Sequence, residues 1–293
     1  MSLERHRIII SKLRRGPQSY EELQDYMELQ MEISGKRLTS SLRTFQRDIE
    51  RILDLYDIEI SYNSATRKYE IIYDGNEEHN ERLMEAYEIY TALNISSNFS
   101  RDLIVERRKP LGTENLHGLL HAIKNHLSVT FLYEKYTTGE VGHRKVNPIA
   151  LKESRYRWYL LAEDQANGVV KSYGLDRISD LEIGTRKFKP IEYDAEKEYR
   201  HSFGIINGVE TVPEKIILSF TPLEGRYIRS FPLHHSQKEV LITEEEWRFE
   251  YYIFPTHDFV MEVLSHGAEV KVLEPKSFRK RIVQQLKAAI ERY

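Results

Sequence analysis

The chain has 293 residues, more than one hydrophobic core usually organises, and its 40% hydrophobic and 30% charged content is that of an ordinary globular protein of two or three modules. It has no cysteine, which excludes disulfides, thiolate zinc sites and cysteine nucleophiles, and no apolar run near the roughly 20 residues that a membrane-spanning helix needs. A net charge of −3 argues against a general polyanion binder, so the local distribution of charge carries the information.

The first segment, MSLERHRIIISKLRR, flanks a very short apolar stretch with charge and lacks the length and cleavage site of a secretory signal, so the expected location is the cytoplasm. Residues 4 to 15 place Ile8, Ile9, Ile10 and Leu13 on one helical face, and Gly16-Pro17 stops the helix. Ser19 as N-cap, with Glu21 and Glu22 in the first turn, opens a second helix whose apolar face is Leu23, Tyr26 and Met27. After a Ser-Gly-Lys-Arg loop, Thr39 to Ser41 offer caps for a third helix, about 42 to 55. Its expected buried stripe is Leu42, Phe45, Ile49, Ile52 and Leu53, with Arg43, Thr44, Gln46 and Arg47 outward. Ile58 to Tyr62 and Lys68 to Tyr73 read as a hairpin. Three helices and a hairpin describe a winged helix-turn-helix. Lys36, Arg37, Arg43 and Arg47 fall in a window free of acids, where a phosphate backbone would be welcome.

Residues 76 to 115 form a helical connector, expected to bridge or dimerise, with its most loop-like part around Arg107 to Gly112. From Val129 the pattern becomes a run of short strands that fits a strongly bent antiparallel sheet or barrel. This is also where positive charge peaks: residues 131 to 190 hold 11 Lys/Arg against 8 Asp/Glu. From about residue 210, strands alternate with helices at Gly225 to Arg229 and Asp258 to His266, and the chain closes on a strand, a Pro turn and an amphipathic helix, an α+β module.

Within the strand-rich part, Trp158-Tyr159-Leu160, in the order Tyr133, Arg144, Pro148, Trp158-Tyr159-Leu160, Asp176-Arg177-Ile178, resembles the WYL domain, of which the tripeptide is the naming motif. Arg43-Thr44-Phe45-Gln46-Arg47-Asp48-Ile49 is similar to the R-T-x-x-R-D-I recognition-helix signature that usually precedes such domains, and Val270 to Arg279 is similar to the family's C-terminal extension. The resemblance implies an α+β transcription regulator in four parts. These are a winged helix-turn-helix at 1–75, the connector at 76–115, a WYL domain with an Sm-like, SH3-type antiparallel barrel at 116–195, and the extension at 196–293. It implies a sensed ligand, a nucleotide or nucleic acid, facing Tyr133, Arg144, Tyr159 and Arg177, with His143, Arg155, Arg157 and Tyr173 as secondary candidates. The partners it implies are a double-stranded DNA operator and a second copy of the chain.

Residue chemistry bears on each expectation. Arg reads guanine edges with two hydrogen bonds, Gln reads adenine, and hydroxyls hold phosphates; Ser41, Arg43, Thr44, Gln46 and Arg47 supply that set, although a solvated helix face would look similar. Arg47 is also placed to pair with Asp48. Asn63, Arg67 and Lys68 either touch phosphate or merely build the hairpin turn. In the strand-rich part, arginines interleaved with tyrosines suit a ligand with phosphates and bases; surface ion pairing, including that of Asp176 with Arg177, is the competing explanation. Strand alternation puts Arg157 and Tyr159 on one face and Trp158 and Leu160 on the other, so Trp158 belongs to the core. His117 and His121 stand four apart, a spacing that can bind metal, but without an HExxH motif they read as helix surface. No phosphate loop, nucleophile elbow or dinucleotide fingerprint occurs, so no catalytic residue, metal or cofactor is expected. Two rival functions remain: a single-stranded nucleic-acid module of a repair or phage-defence machine, and a nucleotide-acting enzyme with a His/carboxylate metal site.

Overall fold

A computed structural model describes residues 2–34, 38–75, 80–86, 89, 111–208 and 211–293. By internal contacts the chain divides into two compact units, Met1–Arg107 and Arg108–Tyr293.

The first unit opens with helices α1 (Ser2–Arg14), α2 (Tyr20–Ser34) and α3 (Leu42–Tyr56), followed by an antiparallel pair, β1 (Ile58–Asn63) and β2 (Lys68–Asp74). Ser19 caps α2 reciprocally with Glu22: the Ser19 N–H donates to Glu22 Oε2 (2.7 Å) and the Glu22 N–H to Ser19 Oγ (3.1 Å), a capping box. The Ser41 hydroxyl receives the Thr44 N–H at the start of α3, and Asp57, in the left-handed region at φ 54°, ends it. Ile8, Ile9, Ile10, Leu13, Leu23, Met27, Phe45, Ile52 and Tyr56 make one core. Gln18 pairs with Tyr69 through both backbone groups (3.0 and 2.7 Å), so the approach to α2 is tied to the hairpin.

The stripe of α3 differs from the sequence expectation. Leu42 and Leu53 are 46% and 43% exposed, whereas Asp48 and Tyr56 are buried with Phe45 and Ile52. Spacing explains the exchange: Phe45, Asp48, Ile52 and Tyr56 follow the three- and four-residue steps of a helical face, and Leu42 and Leu53 fall off its edges. Asp48 is tolerated inside because it is paired. Its carboxylate receives Arg5 Nε (2.7 Å) and Nη2 (3.0 Å), and His6 Nε2 lies 3.4 Å away. Asp48 therefore serves Arg5 rather than Arg47.

In the second unit, α4 (Leu116–Asn125) precedes β3 (Leu127–Glu134), β4 (Val141–Ser154), β5 (Arg157–Asp164), β6 (Val169–Gly174) and β7 (Ile178–Lys187). All their pairings are antiparallel, in the order β6-β5-β4-β3-β7. The edge strands β6 and β7 are separated by only the three-residue turn Leu175–Arg177. Laid flat, four interstrand gaps of about 4.8 Å would put these edges roughly 19 Å apart, more than the about 14 Å that the connecting residues can reach. The sheet must therefore curl. No ladder joins β6 to β7 among the described residues, so the expected barrel is a curled sheet that hydrogen bonds do not close. Leu119, Val129, Phe131, Val146, Leu160, Ala162, Tyr173 and Leu175 fill its concave side, with Trp158 packed against them, while Leu120 of α4 is exposed. At Gly112, φ is +73° and an added Cβ would lie 2.2 Å from the Leu175 carbonyl oxygen, so only glycine lets the chain pass over this turn.

The last part, joined through α5 (Ala195–Tyr199), comprises β8 (Glu214–Phe220), α6 (Pro222–Ser230), β9 (Lys238–Ile242), β10 (Trp247–Ile253), α7 (His257–Ser265), β11 (Val270–Glu274) and α8 (Lys276–Ile290). The sheet order β11-β8-β10-β9 gives a split β-α-β-β-α-β arrangement whose core is Ile216, Leu218, Phe220, Phe249, Tyr251, Phe259, Val263 and Phe278.

Candidate functional site

Two surfaces gather the residues singled out from sequence. On the first unit, α3 carries Ser41, Arg43, Gln46 and Arg47 exposed and Thr44 half-buried, all on the side away from Phe45 and Ile52. Arg43, Gln46 and Arg47 form no hydrogen bond or ion pair with any described residue, whereas Ser41 and Thr44 share a hydroxyl contact of 3.0 Å. Lys36 and Arg37 lie outside the described residues. The hairpin candidates divide. Arg67 is exposed at φ 56°, Lys68 donates to Glu22 (3.1 Å), and Asn63 Oδ1 receives the N–H groups of Ala65 and Thr66 (3.0 and 3.3 Å) and so builds the turn. Lys68 and the Ser19 N–H together hold the Glu22 carboxyl below the usual carboxylate range, the Ser19 contact being the stronger influence.

The second surface is a cleft of about 520 Å³ at the mouth of the curled sheet, lined by Tyr133, Lys135, Arg144, Asp164, Lys171, Ser172, Tyr173, Tyr199 and Asn207. Alternation aims these side chains: in β4, Arg144 shares the inner side with the buried Val146, and in β6, Lys171 shares it with Tyr173. Phe131, Tyr133 and Tyr173 pack edge to face, with centroids 5.1 to 6.2 Å apart. Arg144 Nη1 donates to its neighbour's carbonyl, His143 O, at 2.8 Å, leaving donors for a ligand.

Burial pushes the Tyr133 phenol up, against the opposing pull of Arg177, and pushes Tyr173 up further with help from Asp164. Both are therefore neutral hydrogen-bonding groups near neutral pH. Tyr133 receives the Gly174 N–H (3.3 Å), and Tyr173 donates to Asp164 (3.4 Å). Lys171 pairs with Asp164 at 2.7 Å, and this bond, reinforced by the Ala166 N–H, holds the Asp164 carboxyl below its ordinary value. A depressed carboxyl stabilises the fold above its ordinary pKa and loses that contribution as pH falls through the folded value. Asp164→Asn should accordingly flatten the acid limb of the stability profile below about pH 4, as measured by circular dichroism during acid titration; an unchanged limb would show that the pair contributes nothing.

Three of the eight ligand candidates, Tyr133, Arg144 and Tyr173, line this mouth. His143 points to the other side of β4 and lines an adjoining cleft with Thr130, Arg144, Lys145, Asp164 and Ala166. Arg177 stacks on Tyr133 and Tyr136, each centroid 4.9 Å away, and so braces the mouth from behind. Tyr159 is half-buried on the face opposite Leu160, its phenol pushed up by burial, and lines neither cleft. Arg157 pairs with Asp176 at 3.1 Å. Arg155 lies beyond the end of β4 with Tyr156, both at positive φ (49° and 64°) in a two-residue hairpin turn; its guanidinium meets Glu262 and stacks on Phe203 at 5.3 Å. Arg155 thus fastens the curled sheet to the following module.

Sequence reasoning missed Lys135, Asp164, Lys171, Ser172, Tyr199 and Asn207. Lys171 was findable, because it stands two residues before Tyr173 on one strand; Tyr199 and Asn207 arrive from elsewhere in the chain and left no local signal. His121 is engaged with Asn125 (3.3 Å), and no three His, Asp or Glu converge on a metal-sized site among the described residues.

A helical unit with a cationic outer face, followed by a curled antiparallel sheet with an arginine-tyrosine mouth and a split α+β module, defines a modular protein with a ligand-sized basic cleft. The chain is a WYL-domain protein: the WYL domain matches residues 114–183, and the WCX domain matches residues 213–290. Among solved structures it is similar to proteasome accessory factor B/C (PafBC) of Arthrobacter aurescens, at 19% identity over 98% of this chain and 46% of that one, with a TM-score of 0.37. It is also similar to a CRISPR Cas-related protein, at 14% identity over 62% of this chain and 52% of that one, with a TM-score of 0.40. The chain thus spans about half the length of either. No curated protein matches it. No helix among the described residues is long and apolar enough to cross a membrane.

Proposed function

We propose that this chain is a ligand-responsive transcription regulator that binds double-stranded DNA. In this reading residues 1–75 act as a winged helix-turn-helix, α3 enters the major groove, and the β1-β2 hairpin is the wing. The connector at 76–115, most of which lies outside the described residues, would join the two parts and pair two copies of the chain. The WYL domain at 116–195 senses a nucleotide or nucleic-acid effector, and the extension at 196–293 supports it. The carrying observation is the outer face of α3, where Arg43, Gln46 and Arg47 project unengaged while Phe45, Asp48 and Ile52 anchor the opposite face. Forked guanidinium and amide groups in that arrangement suit base edges. Arg144 and Lys135, beside Tyr133 and Tyr173, give the mouth the groups that bind phosphate and stack on bases, while Lys171 offsets the charge of Asp164. Two copies would read the halves of a pseudo-palindromic operator, and the effector would favour whichever dimer geometry it binds better. The protein works in the cytoplasm as a regulator without catalytic activity of its own.

A mobility-shift assay on the DNA upstream of its own coding sequence tests this reading. The expected result is a duplex complex that survives excess unrelated duplex and contains two chains. Binding of single strands with no specific duplex complex would refute it and favour the repair or defence module.

A further inference from the structure

A third cationic feature belongs to neither surface. On the convex side of the curled sheet, Lys145 and Asn147 of β4 face outward, and Arg186, Lys187, Phe188 and Lys189 follow at the end of β7 and beyond it. With Ser128 and Gln165 they line a cleft of about 330 Å³. No carboxylate is among its lining residues, and none of the four cations pairs with an acid among the described residues. Four like charges around one concavity repel each other unless an anion enters. The uncharged groups are already fixed: Gln165 donates to Asn147 (2.7 Å), Asn147 donates to Glu163 (2.8 Å), and Phe188 is held edge-on to His126, its N–H bonded to the His126 carbonyl at 2.9 Å. The cleft is therefore a shaped wall with one aromatic face and free cations.

Its position gives it a meaning. The mouth shares Arg144 and Asp164 with the adjoining cleft of about 310 Å³, and that cleft shares Lys145 with the outer one. Adjacent residues of β4 thus carry a continuous basic path from the concave side over the rim to the convex side; Asp164, the one carboxylate among its lining residues, is neutralised by Lys171, and Glu163 and Glu182 stand beside it, bonded to Asn147 and Thr130. A duplex, stiff over about 150 base pairs, does not follow a bend around the rim of a single sheet; a flexible single strand does. We propose that the outer cleft is a second phosphate-binding subsite, and that its ligand is one nucleic-acid strand, several nucleotides long, running from the mouth past Lys145 to Arg186–Lys189. This rests on the reading of the mouth as a phosphate site.

The test is fluorescence anisotropy on the full chain with labelled oligothymidylates of two and ten nucleotides, every protein carrying Arg43→Ala and Arg47→Ala to silence the front helix. The parent should bind the ten-mer at least ten-fold more tightly than the dimer. Adding Lys187→Gln and Lys189→Gln should weaken the ten-mer about ten-fold, spare the dimer, and reduce the slope of log affinity against log salt by roughly 1.4, since each phosphate contact on a single strand contributes about 0.7. Arg144→Gln should weaken both. Ten-mer affinity and salt slope unchanged by the lysine substitutions, with Arg144→Gln still weakened, would overturn the outer subsite alone. Equal parent affinity for both lengths would overturn it by pointing to a mononucleotide-sized ligand. An Arg144→Gln variant with parental affinities, beside a lysine variant that loses the ten-mer, would sink the mouth reading and support the outer cleft as a phosphate site.

Discussion

Replacing Arg43 and Arg47 together by alanine is expected to abolish specific operator binding and leave the N-terminal unit folded. Both side chains are exposed on α3 and hold no partner among the described residues, so their removal disturbs no packing. Each guanidinium that forks onto a base contributes about 1–3 kcal/mol of discrimination, so the pair amounts to roughly 2–6 kcal/mol, or about 30- to 10⁴-fold in affinity. Mobility shifts measure the loss, and an unchanged thermal unfolding curve shows that it is not a folding defect. Near-parental affinity would mean that some other surface reads the operator.

The second large effect is structural. Asp48 is 1% exposed and holds the two-pronged contact from Arg5 as well as facing His6. Asp48→Ala leaves a largely buried guanidinium without its counter-charge, and breaking such a pair costs about 3–5 kcal/mol. That is a large share of the stability of a small domain. Hydrogen exchange should show it directly: amides in the middle of α1 and α3 lose protection by roughly 10²- to 4 × 10³-fold, while those of β8 and β10 keep theirs. Undiminished protection in α1 would show that the buried pair contributes little. DNA binding falls in this variant as well, but through unfolding, which distinguishes it from the arginine pair.

Much of this architecture was legible because the helices and strands announce themselves by local period and caps. The three front helices, the hairpin, and the helices around Pro222–Ser230 and His257–Ser265 follow from local apolar spacing, sharpened in the second and third helices by the caps Ser19 and Ser41. The errors arose where local pattern and tertiary pairing disagree. Leu42 and Leu53 have the apolar character of a buried stripe but the wrong angular position, and Asp48 has the right position with a polarity that only the distant Arg5 makes acceptable. In the mouth, Tyr133, Arg144 and Tyr173, which the resemblance to the WYL domain implies as ligand-facing, do converge from β3, β4 and β6. Arg155, Arg157 and Arg177 have the same composition, but Glu262, Asp176 and the Tyr133-Tyr136 rings occupy them. One-dimensional pattern does not reveal which arginine already has a partner.

The division of labour between a DNA-reading front helix and a phosphate-sensing mouth is tested most directly by Arg144→Gln in the otherwise unaltered chain. Its binding to the upstream duplex would be measured with and without a saturating ten-nucleotide oligothymidylate. The account predicts that the variant binds the duplex as the parent does and no longer responds to the oligonucleotide, which shifts the parent's duplex affinity. An Arg144→Gln protein that loses the duplex as completely as the Arg43/Arg47 variant would contradict it.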